Sequence, residues 1–179
     1  MNLEKIKMIL WDFDDTLCFH SDHSSPADKF DTEYNVKVLK GLDVYSTCNI
    51  NCDILKFMQY ANKKNIRQGL ISGTTCYIHM KNKLEWVKTH YGITLENFCV
   101  SSQEMKLGIM LAIAEAFGFE HDEILLVDDF WENLERAADN GFQSATPVEV
   151  INYVNDCLWA DSNEATTGAI QKKEVKNLA

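Results

Sequence analysis

Apolar residues crowd together at Ile6, Met8, Ile9, Leu10 and Trp11 and stop abruptly at Asp12-Phe13-Asp14-Asp15-Thr16-Leu17. A short apolar run, β-branched in part and closed by acids, predicts a strand buried on both faces of a parallel sheet. Two later stretches share this character. Gln68-Gly69-Leu70-Ile71-Ser72-Gly73 predicts a second strand ending in Ser72, and Glu123-Ile124-Leu125-Leu126-Val127 predicts another that ends in Asp128-Asp129. Shorter runs over 97–101 and 142–145 complete the set of expected strands.

Between them the period changes from two to about 3.6, the mark of helices packed on one side. Residues 51–64 place Ile54, Leu55, Met58 and Ala61 on one face, with Asn51 as N-cap. A second helix runs to about His90 with a ragged apolar face of Ile78, Leu84, Trp86 and Val87, and Gly92 is placed to end it. His79 and His90 on this helix read as surface or internally satisfied histidines, not as catalysts. Residues 105–117 give the clearest helix, with Leu107, Met110, Leu111, Ala114 and Phe117 directed inward and Gly118 closing it. Ser102-Gln103-Glu104 forms an expected capping signal before it. A further helix is expected from Leu134 to Asn140-Gly141, and a last one begins at Pro147 and carries Val148, Val150, Ile151, Val154 and Leu158.

Strands alternating with helices define a doubly wound, Rossmann-like α/β domain with a mainly parallel sheet flanked by helices. One domain is expected over 1–160, with a short insert at about 18–45 and a polar tail over 161–179. The insert is too short for a cap with its own core and is expected to form a small lid or extended loop.

Composition narrows the function. The 179 residues are 46% apolar and carry 27 acids against 17 lysines and arginines, a formal charge of −10. That balance argues against a nucleic-acid partner, which needs clustered positive charge. No apolar run is long enough for a membrane span, and the first residues lack a signal-peptide pattern, so a cytoplasmic location is expected. The six cysteines then read as reduced thiols. Nothing in the sequence specifies an oligomeric state.

The chemistry concentrates at strand ends. Asp12 and Asp14, with the Thr16 hydroxyl, share one tip, and Asp128 and Asp129 share another. Carboxylates crowded in this way persist when a cation compensates them or catalysis uses them. Lys106 sits in the first turn of its helix, where the dipole favours anions, so lysine and helix end together suit one bound anion. Ser72 offers a hydroxyl, and Gly73-Thr74-Thr75 offers backbone N–H groups at a helix start. Cys18-x-His20-x-x-His23 and Cys48-x-x-x-Cys52 suggest zinc, but the cysteine spacing does not match a zinc knuckle.

Asp12-x-Asp14-x-Thr16 after a hydrophobic strand resembles the first motif of the haloacid-dehalogenase-like (HAD) superfamily. Ser72, Lys106 and Asp128-Asp129-x-x-x-Asn133 resemble the second, third and fourth motifs, in family order, over residues 5–147. The resemblance implies a nearly capless Mg²⁺-dependent phosphatase of the HAD type. It implies Asp12 as the nucleophile that forms an aspartyl phosphate and Asp14 as general acid and then base. Mg²⁺ would be held by Asp12, the backbone carbonyl of Asp14 and Asp129, with Asp128 and Asn133 supporting the metal site. Ser72, Gly73, Lys106 and Thr16 would serve phosphate binding, Thr16 by bracing its loop. An acid at Asp14 separates phosphatases from the dehalogenases, which lack it, and from transport ATPases, which carry threonine. The expected substrate is a phosphorylated small molecule or phosphopeptide, met in part by Phe19, His20 and Phe30. The alternatives are a non-catalytic or regulatory HAD-fold binding protein, and an interaction module with zinc held by Cys18, His20, His23, Cys48 and Cys52.

Overall fold

The computed structural model describes residues 3–20, 32–42 and 44–156. Expectations attached to His23, Phe30, Leu158, the 161–179 tail and the side chain of His20 lie outside the described residues.

Strand β1 (Met8–Trp11) occupies the middle of a five-stranded sheet. It pairs in parallel with β4 (Arg67–Leu70) on one side and β6 (Ile124–Val127) on the other. Strand β5 (Glu96–Asn97) lies outside β4 and β7 (Gln143–Ala145) outside β6, giving the order β5-β4-β1-β6-β7 with every pairing parallel. The order of connections therefore reverses at β1, where an open α/β sheet leaves a crevice at its carboxyl edge.

Alternation along each central strand divides two apolar layers. Ile9 and Trp11 of β1, with Leu125 and Val127 of β6, face α2 (Cys52–Lys63), α3 (Tyr77–Tyr91) and a last helix over 147–156. Met8, Leu10, Ile124 and Leu126 face α4 (Met105–Phe117) and α5 (Trp131–Asp139). All eight residues of β1 and β6 are buried, which is why their sequences read as continuous apolar runs. Helix α2 starts as expected: the Asn51 side chain accepts from the backbone N–H groups of Asp53 and Ile54.

Within the 18–45 insert lie β2 (Phe19–His20) and α1 (Thr32–Leu39). Strand β2 pairs antiparallel with β3 (Cys48–Asn49), and α1 lies against α3.

Several boundaries differ from the sequence reading. The strand expected over 97–101 is regular as β5 only at Glu96–Asn97, and pairing resumes at an isolated parallel bridge between Gly73 and Val100, while the outward-facing Cys99 backbone N–H donates to Asn97 Oδ1 at 3.0 Å. Three backbone bonds tie this segment to the β4 edge, from Phe98 to Leu70, from Val100 to Ser72 and from Thr74 to Val100. Helix α4 buries Lys106, Met110, Ile113 and Ala114, so Leu111 turns partly outward. Its expected capping signal makes no side-chain cap bond, and a turn from Ser102 and Gln103 leads into the helix instead. Helix α5 begins at Trp131, three residues before Leu134, which brings Asn133 into its first turn.

Candidate active site

The ladder continues past the strands and fixes the groups at their tips. Asp12 donates its backbone N–H to Val127 at 2.9 Å, Ile71 donates to Trp11 at 2.8 Å, and Asp128 donates to Ala145 at 3.2 Å. Asp12, Ser72 and Asp128 are thereby held at the carboxyl ends of adjacent strands, and each is buried. After Asp12 the chain folds into a tight loop around the Phe13 carbonyl, which accepts from the N–H groups of Leu17 and Cys18 at 2.9 and 2.8 Å. Asp15 takes a left-handed conformation, with φ of 54°, to make this turn; aspartate tolerates that region better than most residues.

Lys106 reaches in from the first turn of α4. Its Nζ donates to Asp12 Oδ1 and to Asp128 Oδ2, both at 2.7 Å, and the side chain is only 2% exposed. Asp128 is completely enclosed: its Oδ1 also accepts from the Phe130 N–H at 2.9 Å and its Oδ2 from Asn133 Nδ2 at 3.0 Å. Asn133 thus donates a hydrogen bond to Asp128. Asp129 stands at the exposed edge, and one oxygen each of Asp12, Asp128 and Asp129 lie within 4.8 Å of one another.

These acids repel one another. Burial, followed by the charge of Asp12, pushes Asp128 up to about 6. Burial, followed by the charges of Asp12 and Asp128, pushes Asp129 up to about 7. Burial works against the charge on Lys106, but Asp12 and Asp128 together raise its pKa above the ordinary lysine value. The site therefore carries more negative charge than its lysine offsets, on hard oxygen atoms that suit a divalent cation such as Mg²⁺.

A second buried lysine is present that the apolar periodicity does not show. Lys83, on α3, donates from Nζ to Asp14 Oδ2 at 2.7 Å, to Ser72 Oγ at 2.9 Å and to the Gly73 carbonyl at 2.9 Å. The ammonium lies 5.1 Å from the centroid of the Phe13 ring. His79, one turn earlier on the same face, is buried; its Nδ1 accepts from the Thr75 N–H at 3.2 Å. The neutral ring therefore carries its proton on Nε2, which meets Tyr45 Oη at 2.6 Å. Burial, then Lys83, lowers the His79 pKa to about 4. The histidine is satisfied internally and is not on the surface.

Thr16 differs from its expected bracing role. Its Oγ1 is buried and has no hydrogen-bond partner among the described residues, and only its backbone N–H ties into the loop, to the Phe13 carbonyl at 3.3 Å. Of the residues of the zinc reading, His23 and the His20 side chain lie outside the described residues. Cys18 is buried, Cys52 is exposed, and the one cluster able to hold a metal among the described residues is Asp12, Asp128 and Asp129.

A parallel sheet with reversed connections at β1, and carboxylates on the tips of β1 and β6, define a doubly wound α/β domain with an acidic site at its carboxyl edge. No family model and no curated protein matches the chain. Solved structures do. The cobalt-bound deoxy-D-mannose-octulosonate 8-phosphate phosphatase from Haemophilus influenzae aligns at 15% identity and a TM-score of 0.51, covering 82% of this chain and 71% of that one. The magnesium complex of a HAD family enzyme from Bacteroides thetaiotaomicron aligns at 20% identity and 0.51, covering 80% and 93%. An uncharacterized protein from Listeria monocytogenes aligns at 14% identity and 0.53, covering 79% and 78%. The chain has the HAD-like fold.

Proposed function

We propose that this protein is a Mg²⁺-dependent phosphatase that hydrolyses a phosphate monoester by way of a phosphoryl group carried on Asp12. The observation that carries this reading is the convergence of Asp12, Asp128 and Asp129 within 4.8 Å beside the Lys106 ammonium. The reading is supported by the HAD-like fold and by its structural neighbours, which include a phosphatase and a magnesium-bound enzyme.

Asp12, Asp129 and the backbone carbonyl of Asp14 would hold Mg²⁺, with Asp128 and Asn133 supporting them. The ion supplies charge neutralisation, so that an anionic carboxylate can approach an anionic phosphate. Asp12 then attacks phosphorus in line as the ester P–O bond breaks, and Asp14 delivers a proton to the departing oxygen. In the second half Asp14 takes a proton from water as that water attacks phosphorus, and the bond to Asp12 breaks to release inorganic phosphate. Lys106, Ser72 and the Gly73 backbone bind the phosphoryl oxygens, where charge grows in the transition state. The Thr16 hydroxyl, buried without a partner among the described residues, lies on the loop that carries Asp14 and is assigned to phosphate binding with them. The substrate is a phosphorylated small molecule or phosphopeptide.

The test is hydrolysis of p-nitrophenyl phosphate with and without Mg²⁺, by the wild type and by Asp12→Asn. Turnover is expected to need the metal and to fall by at least about 10³-fold in the variant. Turnover that survives Asp12→Asn overturns the assignment.

A further inference from the structure

Lys83 is a fully buried charge on α3. It projects from the middle of α3 into the sheet edge, its side chain is 1% exposed, and its ammonium ends between two different strand tips. A lysine ammonium has three N–H donors. Here all three are used, on the Asp14 carboxylate, the Ser72 hydroxyl and the Gly73 carbonyl. Because the donors are spent, Lys83 has none left for a substrate oxygen. Lys106 occupies the other half of the site, between Asp12 and Asp128. The two buried lysines thus divide the carboxylates: one serves the nucleophile, the other the acid/base residue.

We propose that Lys83 is a positioning residue that locks the Asp14 carboxylate and the Ser72 hydroxyl into a single arrangement, so that leaving-group protonation and phosphoryl binding act on one substrate pose. The proposal rests on the phosphatase reading above. It follows from the direction of the hydrogen bonds. Ser72 Oγ accepts from Lys83, so its one hydrogen remains free to donate to a phosphoryl oxygen. Asp14 Oδ2 is pinned by Lys83, which limits the directions in which this carboxylate can meet the leaving oxygen. Asp14 itself sits on a loop whose backbone is tied to Phe13 and Cys18, and Lys83 connects this loop to the β4 tip. A carboxylate displaced by about 1 Å loses much of its value as a proton donor.

A group that acts through the general acid leaves a signature that a merely structural group does not. Esters with poor leaving groups depend on proton delivery, whereas p-nitrophenolate departs with little help. The experiment compares kcat/KM for p-nitrophenyl phosphate, phenyl phosphate and glycerol phosphate in the Mg²⁺-loaded wild type, K83M, D14N and the K83M/D14N double variant. The loss in K83M is expected to be about 10- to 100-fold larger on the alkyl ester than on the nitrophenyl ester. In the D14N background, removing Lys83 is expected to add no further leaving-group dependence. The double variant removes both charges together, so it serves even where K83M alone fails to fold. Losses that are uniform across the three esters, or that add fully in the double variant, overturn the proposal while leaving the phosphatase reading intact. A wild type that turns over none of the esters overturns that reading and the proposal with it.

Discussion

Asp128 and Asp129 sit in one peptide stretch but in different surroundings. Asp128 is closed in by Lys106, Asn133 and the Phe130 N–H, whereas Asp129 faces outward beside the other acids. Both have pKa values raised above the ordinary 3.8, to about 6 and about 7. A raised carboxyl pKa means that the folded chain binds a proton more tightly than the unfolded chain does. Its contribution to stability is therefore fully present below about pH 4 and is lost as pH rises through 6 to 7. In the metal-free protein, Asp129→Asn is expected to melt at nearly the wild-type temperature at pH 4 and a few degrees above it at pH 8. Mg²⁺ at pH 8 should close part of that gap by stabilising the wild type. Thermal melts in chelator and in Mg²⁺ at the two pH values check this, and a gap that ignores pH would contradict it.

At the scale of elements, the tips of β1 and β6 were legible because buried parallel strands write themselves as apolar runs and their acids stand out at the ends. Lys106 was legible for a related reason: a cation in a helix first turn conflicts with the dipole, and here two carboxylates resolve the conflict. Lys83 was not. A lysine in mid-helix reads as solvated, and the partner that buries it, Asp14, is 69 positions away in the chain. Counting charge and histidine at helical spacing would have found the face, since His79, Lys83, Trp86, Val87 and Tyr91 are the buried residues of α3. The break in the ladder after Asn97 was equally hidden, because residues 98–101 continue the same strand-like run, yet only Val100 bridges again, to Gly73. Strand β4 shows a tertiary constraint of another sort. A Cβ on Gly69 would lie 2.6 Å from the Phe98 ring and 3.2 Å from Leu10. Gly69→Ala is expected to cost about 1–3 kcal/mol by overpacking, measured by urea unfolding, with Phe98→Leu in the same background recovering part of it. Unchanged stability in Gly69→Ala would contradict the close approach of the Phe98 ring to β4.

Across the whole molecule, one sheet brings chemistry from distant parts of the chain to one edge. Strand β1 contributes Asp12 and Asp14, the β4 tip contributes Ser72 and Gly73, and β6 contributes Asp128 and Asp129. Helices from opposite faces of the sheet then supply the lysines, Lys83 from α3 and Lys106 from α4. The apolar layers on the two faces hold these helices in register, so the distances at the edge inherit the rigidity of the core. Among the described residues no helix is long and apolar enough to cross a membrane.

Phosphorylation of Asp12 during turnover is read out by peptide mass mapping after acid quench. Wild-type protein mixed with Mg²⁺ and p-nitrophenyl phosphate should carry one phosphoryl group on the peptide containing Asp12, and Asp14→Asn should accumulate more of it because the water step lacks its base. Steady turnover with no phosphoryl group on that peptide, or with the label on another residue, would contradict the account.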